Sequence, residues 1–511
     1  MRTARGGTTS ALLLAGDDLV QARVVDPVRI IDPPPPLEPL SDFRTHVRRA
    51  LAAPLGMPPL RCLAGRGARV TVAFDDPCVL LPPPLRDPRP VVLEEVVDVL
   101  TTAGVRDRDI TLVCANGLHR RWRRRELLPL VGRRLMRRFG DRIFCHDAED
   151  PEANVSLGAT ESGLTVEVGR HVADADLVVY VGVPWTDMNG GHKSIACGLS
   201  TYRCIAQHHR SPVQAASPLM SPGRSAMHRS LREIGGRIGA HVPVFQVETV
   251  MDNRVWAGPL RPLDLKRRTP FPGMTTARKL PAPAREVVRR AMRGFYRPAG
   301  VWAGAVEPVH EAALVRLAGN RRAVETQGDI LLMGVPHMSP YAVHAGMNPL
   351  LAANLGLGYS FQFGRGEPLV RRGGIAILVT PCEPGFDMVH HPSYERFWRE
   401  VLPVTRDPLR MEAEFELRFA ADPALVDAYR HGWAYHPAHP FFAWYWMARA
   451  LSHLRGVIVA GARDAVAVER MGFVSEPSIA AAVERARGEL GARAEVIVQS
   501  VPPVFTVDVR R

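Results

Sequence analysis

Apolar positions along this chain alternate between two spacings. Ala68-Arg69-Val70-Thr71-Val72-Ala73-Phe74 predicts a strand, the Val91 to Leu100 stretch repeats its apolar residues with helical spacing, and Ile110-Thr111-Leu112-Val113-Cys114-Ala115 predicts a second strand. Strand, helix and strand in that order make a βαβ unit. The alternation continues through a helix over Leu127 to Phe139, a short strand at Ile143-Phe144-Cys145 and the apolar run Leu177 to Val183. Continuous apolar strands separated by helices predict a mostly parallel sheet buried on both faces.

Strand-like runs recur at Ile330-Leu331-Leu332-Met333, Ile375 to Val379 and Val457-Ile458-Val459-Ala460, separated by helical stretches such as Phe442 to Leu454 and Ile479 to Leu490. At 511 residues the chain exceeds what one core organises, so two α/β domains are expected. We place them at residues 1–308 and 309–511, with the ligand cleft between them and the boundary near Val306 to Ala318. A segment of different character, about residues 259–300, precedes that boundary. Within it, Arg261 to Arg297 carries eleven Lys or Arg against two acidic residues and is punctuated by five prolines. It reads as an insertion bracketed by the duplicated Val255-Trp256-Ala257-Gly258 and Val301-Trp302-Ala303-Gly304. A solvated loop with one helix at Arg285 to Arg293 is the plainer reading, and a basic lid the functional one.

Composition narrows the class. Hydrophobic residues make up 46% and charged residues 23%, a globular profile. No apolar run approaches the roughly 20 residues of a membrane helix. Ala11-Leu12-Leu13-Leu14-Ala15 is followed at once by Asp17-Asp18 and is short for a secretory signal, so the expected location is cytoplasmic. Seven scattered cysteines without a CxxC pair predict reduced thiols. The net charge of +13 is not by itself a nucleic-acid signature, and no recognised nucleic-acid motif accompanies it.

Three places carry candidate chemistry. Cys114-Ala115-Asn116-Gly117-Leu118-His119-Arg120 runs from a strand through a glycine turn to a histidine, where doubly wound sheets place ligands. Met188-Asn189-Gly190-Gly191-His192-Lys193-Ser194 pairs two glycines, which let backbone approach a ligand closely, with an amine able to act covalently. Gln207-His208-His209 follows, and imidazole suits nickel, copper or zinc, although a His-His pair is also common on plain surfaces.

With Arg48 to Gly56, Asp75-Asp76-Pro77, His146-Asp147-Ala148, Leu157 to Thr160, Ala173 to Asp176, Gly373 to Leu378, Cys382-Glu383-Pro384-Gly385 and Met471-Gly472-Phe473, these motifs make the chain resemble the nickel-pincer lactate racemase family. The resemblance implies a nickel-bearing pincer nucleotide tethered to Lys193, with His209 as metal ligand and Asp76, Gly190 and Gly191 in the cofactor site. It implies hydride removal from the carbinol carbon of a 2-hydroxy acid and its return to either face, with His119 moving the hydroxyl proton. Arg120 is the candidate partner of the substrate carboxylate or a cofactor phosphate. Cofactor-synthesis proteins are the implied partners.

Two departures stand out. The family's second catalytic histidine falls on Val183, with His192 and Asp187 as candidate substitutes, and its Asp-x-x-Arg arginine is absent after Asp76. A lost charge-assisted contact costs about 1.5–3 kcal/mol, which weakens binding without abolishing it. Trp185 would reshape the pocket. The expectation is therefore a racemase or epimerase of a 2-hydroxy acid other than lactate. A non-catalytic cofactor- or ligand-binding relative is the alternative, and nucleic-acid binding through Arg120 to Arg125 and the basic insertion ranks third.

Overall fold

The computed structural model describes residues 7–78, 82–257, 261, 280–499 and 502–510. Its strands are β1 (Thr8–Ala15), β2 (Asp18–Val25), β3 (Val28–Ile31), β4 (Val70–Asp75), β5 (Ile110–Ala115) and β6 (Ile143–Cys145). They continue as β7 (Asn154–Ala159), β8 (Thr165–Gly169), β9 (Leu177–Gly182), β10 (Val244–Met251), β11 (Pro298–Gly304) and β12 (Arg321–Val324). The last are β13 (Gly328–Gly334), β14 (Val370–Val379), β15 (Gly456–Ala460), β16 (Val474–Glu476), β17 (Val496–Gln499) and β18 (Thr506–Val509).

Two six-stranded sheets organise the molecule, in the orders β11-β10-β9-β4-β5-β6 and β16-β15-β14-β13-β17-β3. All pairings in them are parallel except β10 with β11. Strands such as β9 and β10 are buried at every position because helices cover both faces. The α/β expectation therefore holds, with helices between parallel strands in both halves.

The expected domain limits need correction at both ends. β3 pairs with β17, and Ala11, Leu13, Ala22 and Val24 of the β1–β2 hairpin pack with Ile330, Leu332, Ile377 and Val496. The first strands thus complete the second sheet, because its β17 edge would otherwise be left open. At the other end, helix Val306–Leu317 packs Ala313 and Leu317 against Val250 and Ala299 of β10 and β11. The first domain continues through this helix, which a boundary at 308 would cut.

The basic segment leaves and re-enters at one sheet edge. The Asp252 N–H donates to the Arg297 carbonyl at 2.8 Å, and the Arg297 N–H donates to Asp252 Oδ1 at 2.9 Å. Its helix spans Ala282–Ala291, while residues 258–260 and 262–279 of the expected insertion lie outside the described residues. The two Val-Trp-Ala-Gly copies are not equivalent: Val301 to Gly304 lies in β11, whereas Val255 and Trp256 pack in a loop against Val183 and Tyr296. The single helix expected over Leu127 to Phe139 is two, broken at Gly132, whose φ is 81°. Among the described residues no helix is long and apolar enough to cross a membrane, and all seven cysteines are free.

The domains meet along helix Tyr202–His209 of the first and the helices after Glu412 of the second. Glu416, in a π-helical turn, is buried and accepts from the hydroxyls of Tyr202 and Tyr445, each at 2.9 Å. The Tyr202 ring stacks on His436 with centroids 5.0 Å apart. Burial pushes the Glu416 carboxyl up to about 7, against the lowering effect of both phenols.

A raised carboxyl pKa means the folded state holds a proton that the unfolded chain releases near its ordinary value of 4.5. Stability from this group is therefore complete below about pH 4.5 and is lost as pH rises toward about 7. The loss is at most about 3.5 kcal/mol at roughly 1.4 kcal/mol per unit. Glu416→Gln should flatten the stability profile over that window and leave the variant relatively more stable at pH 8, as read by urea denaturation across pH. A profile as steep as that of the wild type would contradict this assignment.

Candidate functional site

The C-terminal ends of β4, β5 and β9 open into a cavity of about 160 Å³, which the second domain closes with Tyr341, Tyr359, His439, Phe442 and Trp446. Local chemistry fixes the shape of each strand end. After β4, Asp75 accepts from the Tyr180 hydroxyl at 2.9 Å and from the Val183 N–H at 2.8 Å, tying β4 to the end of β9. The buried Arg89 guanidinium donates to the Asp75 and Asp76 carbonyls at 2.6 and 2.9 Å and to the Asp87 carboxylate, so it lines the cavity already engaged.

After β5 the chain turns at Gly117, with φ of 50°. A Cβ there would lie 2.4 Å from the Cys197 carbonyl oxygen, so only glycine lets this turn meet the helix that carries Lys193. The turn presents His119, whose Nδ1 lies 2.9 Å from Asp76 Oδ2. Asp76 also accepts from the Trp122 indole N–H at 3.2 Å and the Cys78 N–H at 3.2 Å. Burial would raise the Asp76 carboxyl, but the His119 imidazole and these hydrogen bonds hold it below its ordinary value. An ionised carboxylate only accepts, so His119 carries a proton on Nδ1 and leaves Nε2 to the cavity.

Asp76, Cys78 and His119 bring three ligand-type atoms within 4.8 Å of one another. Burial and the Asp76 charge push the Cys78 thiol well up, and with the carboxylate already committed this set works as an oriented imidazole.

Lys193 enters at the first turn of helix His192–Gly198, behind Gly190 and Gly191 with φ of 93° and 57°. The turn is braced from below by Glu248 of β10, a fully buried carboxylate that accepts from the Gly191 N–H at 2.7 Å and the Gln246 amide at 3.0 Å. His310 of helix Val306–Leu317 completes the brace, with its Nδ1 3.1 Å from Glu248. Burial alone would lower the His310 pKa, but the Glu248 charge raises it. Lys193 itself has no hydrogen-bond or ion-pair partner among the described residues and lines the cavity.

His209 ends helix Tyr202–His209. Its Nδ1–H donates to the Ile205 carbonyl at 3.2 Å, and its ring lies against Phe442 and Trp446 at 5.0 and 5.9 Å. Burial, with Lys193 nearby, pushes its pKa down to about 3, so it is neutral with Nε2 facing the cavity. A neutral imidazole oriented through its other nitrogen is what a metal ion binds.

Of the residues named from sequence, His119, Asp76, Gly190, Lys193 and His209 line this cavity, while Gly191 stands just behind it with its N–H turned to Glu248. Arg120 is placed elsewhere, which corrects its expected role. It is fully buried, donates to both Glu126 oxygens at 2.9 and 3.1 Å and to the Val343 carbonyl at 3.2 Å, and lies 3.8 Å over the Trp122 ring. Its charge is thus neutralised by a carboxylate and unavailable to a ligand.

Neither suggested substitute for the histidine at Val183 reaches the cavity. His192 pairs with Glu307 at 2.5 Å, and Asp187 pairs with Arg321 at 2.5 Å and Arg365 at 3.5 Å. The sequence signal for His439 and Tyr435 is the density of His, Tyr and Trp from Trp433 to Trp446; Tyr341 and Tyr394 carry none.

The residues present fit the nickel-pincer nucleotide that the sequence resemblance implies, on the chemistry of the donors. An unpaired amine and a bare buried imidazole nitrogen face one cavity, as a covalent tether and a metal ligand require.

The family model described as the lactate racemase N-terminal domain matches residues 18–219. The lactate racemase of Thermoanaerobacterium thermosaccharolyticum is 28% identical over 169 residues, which is 32% of this chain and 38% of that protein. The lactate racemase of Lactiplantibacillus plantarum is 26% identical over 198 residues, 38% of this chain and 44% of that one. These matches thus span less than half the length of either relative. The solved structure of the lactate racemase apoprotein from T. thermosaccharolyticum superposes with a TM-score of 0.65 at 16% identity, covering 98% of this chain and all of that one, and shows a shared fold.

Gly190 gives the Lys193 loop a direct test. A Cβ there would lie 2.6 Å from Glu248 Oε1 and 2.9 Å from His310 Nδ1, whereas Gly163, at φ of 85°, has nothing within 4 Å. Gly163→Ala should cost the backbone strain alone, about 1–2 kcal/mol. Gly190→Ala should cost at least about 1 kcal/mol more, because a buried carboxylate must shift. Equal losses in chemical denaturation would show that the brace does not constrain the loop.

Proposed function

We propose that this chain, similar to the lactate racemases over residues 18–219 and in its fold, is a racemase or epimerase of a 2-hydroxy acid other than lactate. It works with a nickel-pincer nucleotide carried on Lys193 and ligated by His209. The observation that carries the reading is the convergence on one cavity of Lys193, which has no partner among the described residues, and two imidazoles anchored through Nδ1, His119 and His209.

Bound there, the cofactor supplies a reversible hydride acceptor for the carbinol carbon. The chain's own residues do the rest. His119 Nε2 removes and restores the hydroxyl proton, and Asp76 holds the ring in the tautomer that makes this possible. Trp185, Phe442 and Trp446 give the cavity apolar walls that exclude water and strengthen its polar contacts. Among the described lining residues the cations are Lys193 and Arg89, and Arg89 is already engaged. Trp185 in the wall and the lack of a free guanidinium among the described lining residues support a substrate other than lactate.

The second reading, a cofactor- or ligand-binding relative without turnover, is favoured by one observation: Val183, at the position of the family's second histidine, is 3% exposed among Met251, Val255 and Trp256 and moves no proton.

Co-expression with cofactor-synthesis enzymes tests the chemistry through intact mass and nickel content. The wild type should carry a covalent adduct with near-stoichiometric nickel. Lys193→Ala should lose both, and His209→Ala should keep the adduct with at least tenfold less nickel. No adduct on the wild type would sink the cofactor assignment. A panel of enantiopure 2-hydroxy acids and sugar acids with chiral product analysis then separates the two readings, since a binding protein would turn over none.

A further inference from the structure

We propose that His439, from the second domain, is a catalytic residue of this cavity that donates a hydrogen bond from Nε2–H to the same substrate oxygen that His119 deprotonates. The inference rests on the reaction proposed above and adds the group that polarises the oxygen.

The argument is one of complementary tautomers. His439 opens helix His439–Tyr445, is 5% exposed and lines the cavity. Its Nδ1 lies 2.6 Å from the hydroxyl of the fully buried Tyr394, and that hydroxyl has no other partner among the described residues. Burial keeps the phenol un-ionised, so it has a proton to place, and the acceptor within reach is Nδ1. An imidazole that accepts at Nδ1 carries its proton on Nε2, the nitrogen left to the cavity. His119 is in the opposite state, because the Asp76 carboxylate can only accept from its Nδ1.

The two rings meet edge to face with centroids 5.5 Å apart, and Tyr341 stands against both, at 5.3 Å from His119 and 4.6 Å from His439. A lone pair and an N–H are thus brought to one corner of the cavity. Burial and the neighbouring imidazoles push His439 well down, which keeps it a neutral donor.

A carbinol oxygen in that corner donates its O–H to His119 and accepts from His439. Loss of the C–H electron pair as hydride, for which a bound cofactor would be the acceptor, would send the hydroxyl proton to His119 Nε2 and turn the C–O bond into C=O. The carbonyl oxygen then accepts from both imidazoles, which draws electron density from the carbon and favours hydride return. His119 gives its proton back, and His439 never loses its own. Donors of this kind are worth about 10²–10³ in rate.

The experiment joins NMR of the full-length protein, with imidazole nitrogens labelled and no cofactor loaded, to turnover by the loaded enzyme. In the spectra, His439 should show a protonated Nε2 and bare Nδ1, His119 the reverse, and Tyr394→Phe should shift His439 toward the other tautomer. Addition of pyruvate, a 2-oxo acid probe, should move the His439 Nε2–H resonance. A bare Nε2 on His439 in the wild type would overturn the proposal whether or not the enzyme turns over any 2-hydroxy acid.

In turnover, His439→Gln keeps an amide N–H near the Nε2 position and should stay within about tenfold of wild-type kcat. His439→Leu should lose about 100-fold, and His119→Gln should lose activity outright. His439→Gln as inactive as His119→Gln, with fold retained, would mean that His439 transfers a proton and would overturn the donor role. Wild type inactive on the whole acid panel would count against the proposed reaction and leave the tautomers to be judged by NMR alone.

Discussion

The placement of Lys193 depends on one buried carboxylate. Glu248 is fully inside the first domain, at a point in β10 where an apolar residue would have continued the strand's pattern. Taking an unpaired carboxylate out of water costs several kcal/mol or more, so its presence requires donors. The Gly191 N–H, the Gln246 amide and His310 supply them, and in doing so they fix the left-handed turn at Gly190 and Gly191. Helix His192–Gly198 starts where that turn ends, and Lys193 is its second residue. An apolar residue in place of Glu248 would suit β10 and leave the turn undetermined.

The same economy runs through the cavity wall. Asp75 is consumed by β9, Arg89 by Asp87 and two carbonyls, Arg120 by Glu126, and Asp187 by Arg321 and Arg365. Charges near the cavity are spent on geometry. What remains for a ligand is an amine and three imidazole nitrogens, those of Lys193, His119, His209 and His439. Burial keeps His209 and His439 uncharged, and that suits metal ligation and hydrogen-bond donation better than anion capture by guanidinium does.

Legibility in the sequence followed periodicity and motif. β4, β5, β9, β13, β14 and β15 were readable because each is a continuous apolar run, His119 and Lys193 because glycine turns mark them, and His209 through a His-His pair and the family resemblance. β10 went unread since Gln246 and Glu248 interrupt it with polar residues that are buried for the site's sake. The β1–β2 hairpin was read only as a short apolar run, and its place against the second sheet is a contact across hundreds of residues that no local pattern encodes. Arg120 was misplaced for a related reason: adjacency to His119 is local, but its partner Val343 is distant and Glu126 lies around a turn. His439 is the converse case, a residue whose role arises only when the second domain closes over the first.

That closure gives helix Tyr202–His209 two duties. Tyr202 meets Glu416 and His436 of the second domain, and His209, seven residues and about two turns further on, presents Nε2 to the cavity between Phe442 and Trp446. Residues seven apart share one face of a helix, so the face that seals the domain seam is also the face that aims His209. Separating the domains would therefore remove the aromatic wall from His209 and withdraw His439 from His119 in the same movement. The cavity is complete only in the closed arrangement, and Glu416, which accepts from Tyr202 and Tyr445, is one of the groups that hold it closed.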